Sequence, residues 1–215
     1  MENKISQLYL GLLKKYGSPE KYWPQWCKKE KSLKERETIA LGAILTQRTS
    51  WRNAEMALSN LKRTGLLSLK KIAGLDSPEP LVGLIRVAGF YQTKPRRLFE
   101  FCRYIAEKYG GIENFRRLAG ENLAEARREL LSLYGIGSET ADTILLYALD
   151  KPSFVVDEYT RRLVTKEKLA TDLSYENLKK LFEEGLPRDV RIYQDLHALI
   201  IFSQKERKGW RMKKM

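Results

Sequence analysis

The chain has little of what metal and disulfide chemistry needs. It holds two cysteines, Cys27 and Cys102, neither in a CxxC pair, and one histidine, His197. A disulfide framework is therefore not expected. A thiolate zinc or iron–sulfur site needs about four ligands and is excluded, and a histidine-rich metal site is excluded with it. No apolar run approaches the roughly 20 residues of a membrane span. The amino-terminal stretch MENKISQLYLGLLKKYG has no apolar core long enough for a signal peptide. The expectation is a soluble cytoplasmic protein without a membrane partner. Sustained two-residue alternation of apolar and polar side chains is also missing, which leaves no organising sheet and predicts an all-α fold.

What is present is charge and length. At 215 residues with 43% hydrophobic content, the chain can bury a good core in one domain or in two small lobes sharing a cleft. Its net charge is +13 and its pI about 9.7. A basic excess of that size points to a polyanion, of which nucleic acid is the commonest. A lysine-rich solvated surface is the alternative, and Lys28, Lys29, Lys31 and Lys34 read more simply as such a face.

Periodic segments are helical nearly throughout. Helices are predicted from Ile5 to Tyr16, stopping at Gly17, and through the apolar run Ile39 to Leu45. Others run from Ser50 to Arg63, from Ser68 to Leu75, from Ser77-Pro78 to near Gly89, and from Thr93 to Tyr109 before Gly110-Gly111. Tyr22-Trp23-Pro24-Gln25-Trp26 reads as an aromatic loop, because Pro24 restricts the residue before it. Asn122-Leu123-Ala124-Glu125 resembles a capping box. Three more helices are expected at 158–169, 175–185 and 189–204. The tail Lys205 to Met215 is strongly basic and is expected to be poorly ordered at its end.

The chain is organised around residues 131–162, LSLYGIGSETADTILLYALDKPSFVVDEYTRR. One amphipathic helix ends, the turn Tyr134-Gly135-Ile136-Gly137 follows, and a second helix carries Ala141, Ile144, Leu145, Ala148 and Leu149 on one face. A tight turn between helices aims backbone N–H groups, with their partial positive charge, at an anion. Gly135 and Gly137 would let the backbone approach a phosphate closely and reach positive φ. Ser138 opens the second helix. Past Pro152, the β-branched run Phe154-Val155-Val156 leads to Asp157 at another helix start, where an aspartate also serves as a cap.

Two glycines flanking one apolar residue between helices, with an aspartate about 20 residues on, resemble the helix–hairpin–helix DNA glycosylases of the endonuclease III superfamily. Gly42-Ala43-Ile44-Leu45-Thr46-Gln47-Arg48-Thr49-Ser50-Trp51, Tyr22-Trp23-Pro24 and Ala88-Gly89-Phe90-Tyr91 with Lys94 extend the likeness. It is greatest to the iron–sulfur-free branch typified by bacterial 3-methyladenine DNA glycosylase, since 203–208, SQKERK, lacks the cluster cysteines. The resemblance implies a six-helix barrel lobe over 33–147, with the helix–hairpin–helix at 123–149. It implies a second lobe from 1–32 and 148–215, with the hairpin and Asp157 at the cleft between.

The chemistry implied is base excision from double-stranded DNA by a monomer on the nucleoid. Asp157 would stabilise positive charge at C1′ of a flipped nucleotide. Gly135, Ile136, Gly137 and Ser138 would hold the backbone, and Gln47 would fill the gap in the duplex or sit at its edge. Trp23, Trp51 and Lys205 would line the base pocket, where aromatic faces suit a cationic methylated purine. The carbonyls of Leu131, Leu133 and Ile136 would bind a monovalent potassium or sodium ion, the only cofactor implied. Bifunctional relatives carry a nucleophilic lysine where this chain has Glu139, so base release without strand cleavage is expected unless Lys151 or Lys205 substitutes. His197 reads as a hydrogen-bonded structural residue.

Overall fold

The structure, a computed structural model, describes residues 3–206. All regular elements among them are helical. In order they are α1 (Lys4–Tyr16), α2 (Pro24–Cys27), α3 (Leu33–Leu45), α4 (Trp51–Arg63), α5 (Leu69–Ala73), α6 (Glu79–Ile85), α7 (Lys94–Tyr109), α8 (Ile112–Glu121), α9 (Leu123–Ser132), α10 (Ser138–Thr143), α11 (Glu158–Glu167), α12 (Tyr175–Glu184) and α13 (Val190–Glu206). Short 3₁₀ turns occupy Pro19–Lys21 and Arg86–Ala88, and a π-turn continues α10 over Ile144–Ala148. The chain folds as two compact units. An inserted unit spans Lys31–Lys151, and a terminal unit joins Met1–Glu30 to Pro152–Met215. No described helix is long and apolar enough to cross a membrane.

The inserted unit is built on α3. Ser32 and Glu35 close a full capping box at its start, and Ile39 to Leu45 are buried on every side. α4, α7, α8 and the π-turn pack around it. α7 ends at Gly110, which takes a left-handed φ of 70°. The sequence reading gives no element to 112–121, yet α8 forms there, burying Ile112, Phe115 and Ala119 at helical spacing. The Asn122 box is only half made. Asn122 accepts from the Glu125 N–H, but the Glu125 carboxylate takes the Asn122 side-chain amide at 3.1 Å instead of reaching the backbone. The second hairpin helix is not an amphipathic stripe either. Every residue from Ile144 to Leu149 is buried, including Leu146 and Tyr147, where the π-turn widens the coil.

Two buried charge clusters fix this unit. Arg127 grips the fully buried Asp142 through two bonds, at 2.9 and 3.1 Å, tying α9 to α10. Arg36 donates to the Ala148 carbonyl at 2.7 Å and to Asp150 at 2.6 Å, and Lys31 meets the other Asp150 oxygen at 2.5 Å. Asp150 sits at φ 51°, so these cations hold a conformation that aspartate tolerates better than most residues.

In the terminal unit α13 is the spine, with α1, α2, the Pro19–Lys21 turn and α11 packed along it. The expected aromatic loop at 22–26 is instead the one-turn helix α2. Pro24 occupies its first position, where no backbone N–H is needed. The run Ser153 to Val156 is buried but pairs with no strand among the described residues. Side chains of α12 satisfy its backbone. Glu183 accepts from the Phe154 N–H at 2.8 Å, and Lys179 donates to the Ser153 hydroxyl at 2.6 Å and to the Phe154 carbonyl at 3.3 Å. The basic tail from 207 onward lies outside the described residues, while Lys205 belongs to α13.

Candidate active site

The terminal unit gathers one set of the predicted residues. Asp157 caps α11, its Oδ1 accepting from the Thr160 N–H at 2.8 Å and the Thr160 hydroxyl at 3.0 Å. Its Oδ2 stands 3.5 Å from His197 Nε2 on α13, an ion-pair distance that exceeds a tight hydrogen bond. Burial works to raise the Asp157 pKa. The His197 bond and charge and the Thr160 bonds outweigh it, and the carboxyl is held below the ordinary carboxylate range. A desolvated but ionised carboxylate is the form that stabilises a neighbouring cation. His197, expected as purely structural, is therefore the nearest described charge partner of the candidate catalytic residue.

Lys205 and Trp23 lie in the same unit. The Lys205 ammonium is 5.6 Å from the Trp23 ring centre and 5.9 Å from that of Tyr159. Burial pushes the Lys205 pKa down, and the Asp157 charge opposes it only in part. Trp23 is half-buried and meets Phe202 edge-on at 5.1 Å. Tyr159, two residues past Asp157, carried no sequence signal beyond its place in the run after Asp157.

The inserted unit gathers the second set. Gly135 adopts φ 73°, and a Cβ there would collide with the Arg97 side chain. Gly137 does not follow it. Its φ is −95°, it precedes α10 as the N-cap, and a Cβ would meet nothing within 4 Å. Positive φ is thus a requirement of Gly135 alone, and the space outside Gly137 is left open. Gln47 braces the turn. Its amide donates to the Gly135 carbonyl and to the Thr140 hydroxyl, both at 2.9 Å, and accepts from Arg97 at 2.6 Å. Its side chain is engaged with the hairpin, an arrangement its place in the LTQ stretch did not suggest. Arg97 Nε is buried without an acceptor among the described residues. Gln47, Arg48, Phe90, Arg97, Gly137 and Glu139 help line a hollow of about 430 Å³ beside the turn. Arg48 and Phe90, left-handed at φ 49° and 48°, lie within the stretches that carry the resemblance but were given no role there, and Arg97 carried no sequence signal.

The remaining predicted residues are placed as follows. Trp51 is the half-buried first residue of α4, in the inserted unit, whereas Trp23 is in the terminal one. Ser138 opens α10, and Ile136 is buried beneath the turn. Leu131 is in the last turn of α9, and the Leu133 carbonyl accepts from the Ile136 N–H at 3.1 Å. Glu139 is exposed on α10. Lys151 lies against Gly120, its pKa lowered by burial and by Arg116. No group of three or more histidine, cysteine or acidic side chains among the described residues is arranged to hold a metal ion.

Comparison with known proteins supplies the family. Residues 41–188 match the family described as HhH-GPD superfamily base excision DNA repair protein. A protein of Methanocaldococcus jannaschii named "Putative DNA repair glycosylase" is 42% identical over 203 residues, covering 93% of this chain and 88% of its own. The crystal structure of the 3-methyladenine DNA glycosylase MagIII of H. pylori, bound to 1,N6-ethenoadenine, superposes with a TM-score of 0.74 at 30% identity, covering 94% of this chain and 96% of the other. A trapped endonuclease III–DNA covalent intermediate shares the fold, with a TM-score of 0.70 at 20% identity over 93% of this chain and 84% of the other. The chain belongs to the HhH-GPD superfamily of base excision DNA repair proteins, as a DNA glycosylase of the endonuclease III superfamily.

Proposed function

We propose that this glycosylase is monofunctional and excises alkylated purines such as 3-methyladenine from double-stranded DNA, leaving an abasic site. The observation that carries this reading is Asp157, buried yet held ionised in the same unit as Trp23 and Lys205. As the glycosidic bond breaks, the sugar gains oxocarbenium character, and an anion in a water-poor setting stabilises it. A methylated purine is already a good leaving group, so a strong general acid is not required. Its positive charge favours an aromatic face such as that of Trp23 or Trp51. The likeness to MagIII, whose structure holds 1,N6-ethenoadenine, supports the same substrate class.

The hairpin would hold the strand. Open space outside Gly137, the N–H groups at the start of α10, and Arg48 and Arg97 beside them suit a phosphate and ignore base sequence. Gln47 would exchange its hairpin bonds for a place at the edge of the vacated duplex position. The carbonyls of Leu131 and Leu133 at the end of α9, with that of Ile136 in the turn, suit a monovalent cation, the first two because they carry the negative end of a helix dipole. Glu139, exposed where bifunctional relatives carry lysine, cannot form an imine. The protein would act as a monomer on the nucleoid, in the cytoplasm.

Release of free bases from alkylated, deaminated and oxidised duplexes, run side by side, tests the substrate. Release from the alkylated duplex is expected, with intact abasic strands and no borohydride-trapped adduct. Asp157→Asn should lower turnover by about a hundredfold or more, while damaged-duplex binding stays within about tenfold because phosphate contacts dominate it. Wild-type turnover in that variant would refute the assignment. One observation favours a second reading. The lowered pKa of Lys205, in the field of Asp157, suits a lyase nucleophile. A trapped adduct lost in Lys205→Gln would establish it.

A further inference from the structure

The two oxygens of Asp157 are not equivalent. Oδ1 is taken by the Thr160 N–H and hydroxyl at the start of α11. Oδ2 is the oxygen available to a sugar or a water, and its neighbour is His197 Nε2 at 3.5 Å. His197 is 6% exposed. Its ring stands edge-on to Phe154 at 6.4 Å, and Phe154 stacks on Phe182 at 4.4 Å and meets Tyr193 edge-on at 5.8 Å. An imidazole wedged against this aromatic stack has little rotational freedom, so its Nε2 stays beside Oδ2.

We propose that His197 is a positioning residue for base excision: its Nε2, standing beside Oδ2, orients the Asp157 carboxylate toward the reacting sugar. This rests on the reading of Asp157 as the carboxylate beside C1′. A carboxylate stabilises an oxocarbenium through the oxygen that faces it, so fixing the direction of Oδ2 preorganises that charge. Other titratable groups share these elements: Asp195, two residues before His197, has its pKa pushed up to about 6 by burial. Lys205 on α13 is a cation that feels Asp157. The Tyr193 hydroxyl, one turn before His197, has its pKa pushed up to about 12 by burial and by Glu183. Glu183, behind Phe154, is paired with Lys179 at 2.7 Å.

The test compares wild type, His197→Leu and His197→Gln in base release from alkylated duplex at pH 8. It adds the proton NMR signal of the imidazole, which is single because the chain has one histidine. His197→Leu is expected to lower kcat about tenfold to a hundredfold at pH 8, the range of one hydrogen bond to a charged group, with KM within about threefold. His197→Gln, which keeps an N–H, should recover most of kcat. Equal losses in both variants would overturn the proposal. Should His197→Leu fail to fold, the NMR signal decides. It should follow a different pH course in Asp157→Asn than in wild type, and identical courses would also overturn the proposal. Wild-type turnover in Asp157→Asn would instead refute the role of Asp157, leaving the NMR coupling between the two residues intact.

Discussion

Lys94 shows how one side chain holds two functional segments. It is fully buried at the first position of α7, and its ammonium donates to the carbonyls of Leu45 and Ala88, both at 2.7 Å. Leu45 ends α3 just before Gln47 and Arg48, and Ala88 precedes Gly89 and Phe90. Burial, with the Arg97 charge adding to it, lowers the Lys94 pKa to about 8. The unfolded lysine, near 10.4, still holds its proton at pH 9 where the folded one has lost it. Stability from this residue is therefore smallest below pH 8 and rises toward pH 10. Urea unfolding should show that rise in wild type and not in Lys94→Met. The variant should also lose about 2 kcal/mol at pH 7, because two buried carbonyls lose their donor. At this scale the sequence was partly readable. Asp157 stood out through its spacing from the glycine turn, whereas His197 did not, because nothing in the chain order brings position 197 beside position 157.

At the scale of elements, the hairpin divides its work between its glycines. Gly135 serves the fold and Gly137 serves the surface, since only the first has a left-handed φ and a crowded Cβ position. Gly135→Ala should lower the unfolding free energy by about 1–3 kcal/mol and displace Arg97. Gly137→Val should leave the melting temperature near that of wild type and weaken binding to damaged and undamaged duplex alike. Thermal melts and filter-binding assays on both variants check the division. The helices themselves were legible in most places because caps and periodicity agreed, as at Ser50 for α4 and Gly110 for α7. Besides α2, two stretches escaped. α8 begins directly after a glycine pair that reads as a terminator, although Ile112, Phe115 and Ala119 carry its periodicity. The Phe154 run has the composition of a strand, but with no strand beside it α12 supplies the hydrogen bonds.

At the scale of the whole molecule, a net charge of +13 means that affinity for DNA is set largely by counterion release. Neutralising about five phosphates predicts a fall of roughly two to three decades in duplex affinity between 50 and 200 mM salt. A fluorescence titration series measures it, and a slope near zero would show that the basic surface is merely solvated. The division of the chain has a different outcome, during synthesis. Everything needed for Lys31–Lys151 is synthesised before residue 152 is added, whereas Met1–Glu30 must wait for α13. The nascent protein thus completes its hairpin early and its Asp157–His197 pair last. On the roles proposed above, an arrested or clipped chain ending near residue 151 would keep its grip on nucleic acid with no means of cutting a base free.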